Sequence, residues 1–171
     1  MIDLKEYIRD IEDFPKEGIT FKDITPLLGN ASAFAKAATA LLELVPDVQI
    51  DKVVGIEARG FFFGTLLAEK LGAGFVPVRK PKKLPHTTIA QTYELEYGTD
   101  TLEMHVDAIS KGDKVLLHDD VLATGGTAAA VIQLIEKAGG AIVQCNFLGE
   151  IAFLEGRKKL EGQEVKALFQ F

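Results

Sequence analysis

The chain has 171 residues with a formal net charge of −6, and 47% of its residues are hydrophobic and 26% charged. This length suits one domain, and the composition excludes a disordered or fibrous protein. The acidic balance excludes a generally basic surface for nucleic acid, and a single cysteine excludes an internal disulfide. No uncharged stretch reaches the roughly 18 strongly apolar residues of a membrane span. The acidic N-terminus lacks a signal-peptide pattern, so we expect a cytoplasmic protein.

The first 50 residues predict two helices separated by a loop. The first helix covers residues 4–10, with Asp3 as its N-cap. Pro and Gly residues within 14–21 indicate a loop that contains a short extended piece. An Ala- and Leu-rich helix follows, which begins at Asn30 or Ala31 and ends at Val45.

From Lys52 onward, short apolar runs alternate with helical segments. This alternation is typical of βαβ units and predicts an α/β fold with a mainly parallel five-stranded sheet flanked by helices. The predicted strands are residues 52–56, 74–78, 114–118, 141–148 and 165–169. The predicted helices of this part are residues 61–71 and 124–138.

The segment between Lys80 and Gly112 interrupts the alternation. It is rich in Thr, Tyr and Glu, and residues 101–106 alternate between polar and apolar side chains. We predict an excursion from the sheet that is partly antiparallel strand and partly mobile loop. Since long loops in compact domains are usually functional, residues 80–106 are expected to act as a lid.

The most informative motif follows the predicted strand at 114–118. Two adjacent acids, Asp119 and Asp120, precede a loop of small residues that opens a helix. The loop residues are Ala123, Thr124, Gly125, Gly126 and Thr127. Backbone N–H groups and hydroxyls at a helix N-terminus bind anions, whereas the neighbouring carboxylates suit sugar hydroxyls. The motif matches neither a Walker A loop nor a dinucleotide fingerprint, and it predicts a site for a ribose 5-phosphate.

This motif resembles the 5-phosphoribosyl-1-pyrophosphate (PRPP) signature of the type I phosphoribosyltransferases. Further blocks resemble the members of that family that use adenine, namely residues 13–28, 55–61, 79–85 and 95–98. The resemblance covers nearly the whole chain and implies one phosphoribosyltransferase domain over residues 1–171, with an N-terminal hood at 1–30. It implies a purine salvage enzyme that transfers the phosphoribosyl group of PRPP to adenine and releases AMP and pyrophosphate.

Cationic residues follow two other predicted strands. Arg59 lies in a tight turn between Gly55 and Gly60, an arrangement suited to pyrophosphate. The resemblance implies a pyrophosphate loop there, with a non-proline cis peptide between Glu57 and Ala58. A surface salt bridge is the alternative role for Arg59.

Four of the five residues from 79 to 83 are cationic. By resemblance, Lys83 reaches pyrophosphate in its own or a neighbouring subunit, and the protein is expected to be a homodimer. The run Lys80 to Lys83 has no obvious partner in its own chain, which also favours a second subunit. The alternative is a solvated charged face, as we expect for residues 157–159 on a surface helix.

The resemblance assigns recognition of adenine to the hood. Thr20 lies in an extended piece, where its backbone N–H and C=O can meet N1 and N6 of the base, and Phe21 can stack on the ring. Lys22 stands where related members often have Arg, so its contact with the base stays open. His118 stands where members usually have an aliphatic residue, and we expect a packed or hydrogen-bonded histidine rather than a catalyst.

The lid carries Glu96 and Tyr97. By resemblance, Glu96 lies near the purine and handles a proton, or holds the tautomer, as N9 attacks. Tyr97 supplies apolar cover that keeps water from the reacting centre. The alternative is that the acidic residues of this segment, Glu94, Glu96 and Glu103, only keep the segment solvated.

The resemblance implies Mg²⁺ held mainly by PRPP, with Asp119 or Asp120 contributing through water. No His/Cys cluster predicts a metal held by the protein itself. Three alternatives remain open. A transferase for guanine, xanthine or orotate would keep the PRPP loop but would lack the adenine-recognition residues Thr20 and Phe21. A PRPP-sensing regulator would lack turnover, although the net charge of −6 and the absence of a spare domain argue against it. An unrelated nucleotide-binding α/β protein would give Lys83 and Glu96 no role.

Overall fold

The computed structural model describes residues 3–94 and 98–171. The chain divides into two compact units, Met1–Ala40 and Leu41–Phe171. No helix in these described ranges has the length and apolar character to cross a membrane.

The first unit contains a two-stranded antiparallel sheet and short helices. A 3-10 helix covers Leu4–Tyr7, and Asp3 caps it by accepting the Lys5 N–H at 3.0 Å. Strand β1 (Arg9–Ile11) pairs with β2 (Phe21–Asp23), and α1 (Thr25–Gly29) and α2 (Ala31–Glu43) follow.

In this unit one predicted boundary was wrong and one short helix was missed. The first helix stops at Tyr7 because Arg9 and Asp10 pair with β2 instead of continuing the helix. Helix α1 was not predicted at all, since five residues are too few to show a helical period. Its sequence signal is Pro26 in the first turn, a position that proline favours. The predicted helix from Asn30 or Ala31 is confirmed, although it ends at Glu43 and not at Val45, and the Asn30 side chain accepts the Ala33 N–H at 2.9 Å.

The second unit is built on a parallel sheet. Its elements are β3 (Lys52–Ile56), α3 (Gly60–Leu71), β4 (Gly74–Val78), β5 (Thr88–Glu94), β6 (Thr99–His105), β7 (Lys114–Leu122), α4 (Gly126–Ala138), β8 (Ala141–Glu150) and β9 (Val165–Gln170). Two 3-10 helices, Ala152–Leu154 and Gly156–Leu160, lie between β8 and β9.

The main sheet has the order β4-β3-β7-β8-β9 with every pair parallel, as the βαβ pattern predicted. Strands β3 and β4 have the predicted bounds. Strand β7 continues past His118 to Leu122, because Asp119, Val121 and Leu122 pair with β8. The acid pair therefore lies within the strand, whereas the sequence predicted a strand that ended at His118 before the pair.

The excursion after β4 is more regular than predicted. Strands β5 and β6 form an antiparallel hairpin, and Leu102 and Met104 of β6 are buried in the core. A bridge between Arg79 and Glu103 joins β6 to the end of β4. The hairpin is therefore anchored through β6.

The order of the strands creates a topological switch point. The chain passes from β3 outward to β4 on one side, and from β7 outward to β8 and β9 on the other. Open α/β sheets bind ligands where the strand order reverses, beyond the carboxyl ends of the strands. The segments after β3 and within the end of β7 lie at that point.

His118, in the middle of β7, belongs to a buried polar network. Its Nδ1 lies 2.9 Å from Asn146 Oδ1, while the Asn146 amide donates to the Leu41 carbonyl at 3.3 Å and to Gln144 Oε1 at 3.2 Å. Because the Asn146 nitrogen donates in both bonds, its oxygen accepts, and the His118 proton resides on Nδ1. Burial lowers the pKa of His118 to about 4, so the side chain is neutral. It is packed and hydrogen-bonded, as the sequence predicted.

Replacing His118 by Leu is expected to reduce the acid sensitivity of the fold. The histidine pKa is about 4 in the folded state and 6.5 ordinarily, so the unfolded chain binds more protons between these values and stability falls as pH falls through that window. Between pH 7 and pH 5, the parent should lose about 2 kcal/mol more free energy of unfolding than His118→Leu. Urea unfolding at both pH values measures this. His86→Leu, at an exposed histidine, should keep the parental loss, and an equal loss in His118→Leu would contradict the prediction.

Candidate active site

An ion pair joins the two strand ends at the switch point. Arg59 Nε, in the turn after β3, lies 2.9 Å from Asp120 Oδ2. Asp120 is 2% exposed, whereas the Arg59 side chain is 38% exposed. The peptide bond between Glu57 and Ala58 in the same turn is cis, as the resemblance implied. Arg59 therefore pairs with a buried acid rather than making the surface salt bridge given as its alternative role, and its side chain keeps 38% of its exposure.

Gly60 lets the start of α3 approach β7 closely. A Cβ at this position would lie 2.8 Å from the His118 carbonyl oxygen and 3.1 Å from Asp119 Oδ1. Any larger residue would push the Arg59 turn away from the acid pair. Glycine at this position thus sets the short distance between the two segments.

The two adjacent carboxylates differ in their surroundings. Asp119 Oδ1 accepts the Asp120 N–H at 2.9 Å, and Asp120 Oδ1 accepts the Val121 N–H at 2.8 Å. Burial and the neighbouring Asp120 raise the pKa of Asp119 well above its usual range. Burial also raises the pKa of Asp120, and the adjacent Arg59 opposes that rise. Asp119, which is half-buried, is the member of the pair with an accessible surface for hydroxyl donors.

The small-residue loop turns from β7 into α4 through Gly125, which has φ +80°. Helix α4 begins at Gly126, two positions after the predicted start. The first N–H groups of a helix lack partners within it, so they present an anion site at this end of the sheet. A Cβ on Gly125 would overlap the Gly156 carbonyl oxygen. The loop is therefore held against the backbone of the 3-10 helix Gly156–Leu160, a contact that the sequence did not predict.

The β5–β6 hairpin meets this loop. Thr127 Oγ1 donates to the Tyr93 hydroxyl at 3.2 Å. Burial raises the pKa of Tyr93, which keeps its hydroxyl protonated. Glu96 and Tyr97, the lid residues that the sequence singled out, lie outside the described residues.

The cationic run after β4 is partly used within the chain. Arg79 Nε lies 3.1 Å from Glu57 Oε2, which also accepts the Lys80 N–H at 2.7 Å. Although burial opposes the shift, these two hydrogen bonds lower the pKa of Glu57. Lys80 Nζ lies 3.2 Å from Asp100 Oδ2, so the expectation of no partner for it in its own chain was wrong. Lys83 is exposed.

The predicted base-recognition residues lie in the first unit. Thr20 is exposed and immediately precedes β2. The Phe21 ring packs edge-on against Phe14, with centroids 5.2 Å apart. Lys22 Nζ lies 2.7 Å from Asp10 Oδ1, so this lysine ties β2 to β1.

Known proteins match this chain over nearly its whole length. Residues 23–150 match the phosphoribosyl transferase domain family. The adenine phosphoribosyltransferase of Christiangramia forsetii is 62% identical over 170 residues, 99% of each chain. The crystal structure of adenine phosphoribosyltransferase from Rhodothermus marinus superimposes with a TM-score of 0.94 at 57% identity, covering 98% of this chain and 96% of that one.

A ligand-bound relative is also similar. The adenine phosphoribosyltransferase of Saccharomyces cerevisiae, complexed with D-2,5-dideoxy-2,5-imino-altritol 1,6-bisphosphate and adenine, is 45% identical with a TM-score of 0.91. The alignment covers 96% of each chain. That relative therefore holds a bisphosphate and a purine on the same fold.

Gly125→Val is expected to weaken the binding of ribose 5-phosphate by at least ~10²-fold, since several hydrogen bonds to a charged ligand depend on this loop. The valine would be strained at φ +80° and would overlap Gly156. Isothermal titration calorimetry measures the affinity. Gly72→Val, at the end of α3, introduces similar strain at φ +62° in open space and should leave the affinity unchanged. Parental affinity in Gly125→Val would exclude this loop as the anion site.

Proposed function

This chain belongs to the phosphoribosyltransferase family, and we propose that the residues at its switch point transfer the 5-phosphoribosyl group from PRPP to adenine. The products are AMP and pyrophosphate, and the reaction belongs to purine salvage. The observation that carries the proposal is the juxtaposition of the Arg59 turn, the acid pair and the loop before α4, in a chain 62% identical to an adenine phosphoribosyltransferase. An anion, a diol and a second anion are the successive groups of PRPP.

In the proposed complex, the 5-phosphate binds the loop of Ala123, Thr124, Gly125, Gly126 and Thr127. Backbone N–H groups at the start of α4 and the Thr124 hydroxyl donate to it, while Thr127, whose hydroxyl donates to Tyr93, contributes its backbone N–H. The loop is fixed by the packing of Gly125 against Gly156, so the donors are positioned before the ligand arrives. Binding at this end places the rest of PRPP toward the acid pair.

Asp119 accepts hydrogen bonds from the ribose hydroxyls, and Asp120 holds Arg59 in place. The ion pair and the burial of Asp120 support this division of roles. Arg59 and Lys83 bind pyrophosphate. Lys83 acts from its own or a neighbouring subunit, and its exposure suits either arrangement.

We propose Mg²⁺ as the cofactor, brought mainly by the oxygen atoms of PRPP. No group of three His, Cys, Asp or Glu residues in the described ranges could hold a metal without such a ligand. Carboxylate oxygens are the donors that Mg²⁺ prefers, so Asp119 or Asp120 would contribute a contact through its bound water. When bound, the ion offsets the negative charge of pyrophosphate.

The chemical step requires little covalent work from the protein. As C1 of the ribose separates from pyrophosphate, it gains oxocarbenium character, and N9 of adenine attacks it. The protein aligns the two reactants and stabilises the charge that develops on the leaving group. Arg59 and Lys83 supply the second effect.

Adenine recognition is proposed for Thr20, Phe21 and Lys22. The Thr20 N–H donates to N1 and its C=O accepts from the N6 amino group, while Phe21 stacks on the ring. The Lys22–Asp10 ion pair argues for a role of Lys22 in holding the two strands of the hood together. Tyr97 covers the reacting centre, and Glu96 acts at the purine.

We further propose a homodimer in the cytoplasm. The dimer is supported by the family and by the exposed Lys83. Sedimentation equilibrium distinguishes the dimer from an active monomer of 18.6 kDa, which would refute it.

The function is tested with PRPP, Mg²⁺ and each of adenine, hypoxanthine, guanine and xanthine, by following pyrophosphate release. We expect kcat/KM for adenine to exceed that for the 6-oxo purines by ~10⁴-fold or more. In the 6-oxo purines N1 is a donor and O6 an acceptor, so both bonds to Thr20 would clash. A kcat/KM for hypoxanthine comparable to that for adenine would contradict the proposed recognition of adenine by Thr20. Release with none of the bases would favour a PRPP-sensing regulator.

Glu96→Gln removes the charge of the proposed proton-handling group and keeps its shape. We expect kcat to fall by ~10²-fold, in the usual range for such a group, with PRPP binding nearly intact. Glu94→Gln provides a matched control, because Glu94 is an exposed acid at the end of β5. If the Glu96 variant turns over like the Glu94 variant, Glu96 has no role in the chemistry.

A further inference from the structure

The 3-10 helix Gly156–Leu160 is fixed directly over the start of α4. A Cβ on Gly156 would overlap the Ala123 carbonyl oxygen and lie 3.1 Å from the Gly125 nitrogen, so the two backbones are in contact. Leu160, at the end of the helix, is 2% exposed. The position of this helix relative to the anion-binding loop is therefore set by backbone packing and by a buried side chain.

Arg157 fixes the same helix from the other side. Its Nε donates to Glu150 Oε1 at 2.8 Å, and its Nη1 donates to the Val165 carbonyl at 2.8 Å. The Glu150 side chain is 4% exposed. This pair links the helix to the ends of β8 and the start of β9, so Arg157 is committed to the fold.

Lys159 differs from its two cationic neighbours. Lys158 Nζ pairs with Glu155 at 2.7 Å, as Arg157 pairs with Glu150. The Lys159 side chain makes no hydrogen bond or ion pair with any residue of 3–94 or 98–171. Its Nζ instead lies 3.8 Å from the point where a Cβ of Gly126 would sit, at the first turn of α4. The sequence assigned all three cations to a solvated face, and all three are exposed, although Arg157 also pairs with the buried Glu150.

We propose that Lys159 is a further binding residue for the 5-phosphate of PRPP and AMP. This inference rests on the proposed function and adds a charged side chain to a site otherwise formed by backbone N–H groups and the Thr124 hydroxyl. A phosphate dianion at the start of α4 gains from the helix dipole and from a cation within hydrogen-bonding reach. The flexible stem of lysine lets the ammonium close over the phosphate from the solvent side.

The test compares Lys159→Met with Lys158→Met, which removes an equal charge from the neighbouring position. Calorimetry with ribose 5-phosphate, AMP and pyrophosphate gives the affinities, and PRPP kinetics gives KM and kcat. We expect Lys159→Met to bind ribose 5-phosphate and AMP about tenfold more weakly and to raise the KM for PRPP to a similar extent. Its pyrophosphate affinity and kcat should stay within about twofold of the parent, because the change touches only the 5-phosphate.

Lys158→Met should match the parent in every measurement, and Lys159→Arg should recover most of the lost affinity. Equal effects of the two methionine variants, or an equal loss of pyrophosphate affinity in Lys159→Met, would overturn the inference, since both indicate general electrostatics. An assay of AMP formation by the parent enzyme distinguishes failure of the proposed function from failure of the role of Lys159. If it forms no AMP from adenine and PRPP, the proposed function fails. If it forms AMP and the two variants bind ribose 5-phosphate alike, only the role of Lys159 fails.

Discussion

The ion pair between Arg59 and Asp120 is the interaction on which the rest of the site depends. Asp120 is almost fully buried, and a buried carboxylate without a partner is strongly destabilising. The partner comes from the turn after β3, which lies beside β7 only because the sheet is parallel and reverses its order there. The fold and the site are thus coupled through this ion pair, and Gly60 provides the close approach that the pair requires.

A second backbone constraint fixes the other end of the site. Gly125 lies against Gly156, so the loop before α4 cannot move independently of the 3-10 helix after β8. Between these two fixed points, Asp119 keeps an accessible carboxylate whose pKa is raised by burial and by Asp120. A reaction that depends on alignment and charge stabilisation requires such preorganised groups, rather than a nucleophile or a general base within the sheet.

The sequence predicted the elements that are specified by a local pattern of apolar and turn residues. Strands β3 and β4 are uninterrupted apolar runs with turn residues on both sides, and their bounds are confirmed. The end of β7 was missed because the apolar run stops before two adjacent acids. Their place in a strand comes from pairing with β8, and Asp120 is paired with Arg59, which is distant in the chain. The position of Lys159 was missed for the same reason, since it follows from the contact of Gly156 with Gly125 and carries no local signal.

In this acidic chain, the position of each cation matters more for binding a polyanion than the number of cations does. Arg79 and Lys80 hold the turns after β3 and β4 through Glu57 and Asp100, and Arg157 holds the helix before β9. These cations offset acids of the chain itself and add little attraction for a ligand. The net charge of −6 therefore describes the surface as a whole, while the field at the switch point is set by a few exposed cations and by the helix dipole of α4. For this reason composition excludes a general polyanion-binding surface but gives no information about a phosphate site formed largely by backbone N–H groups.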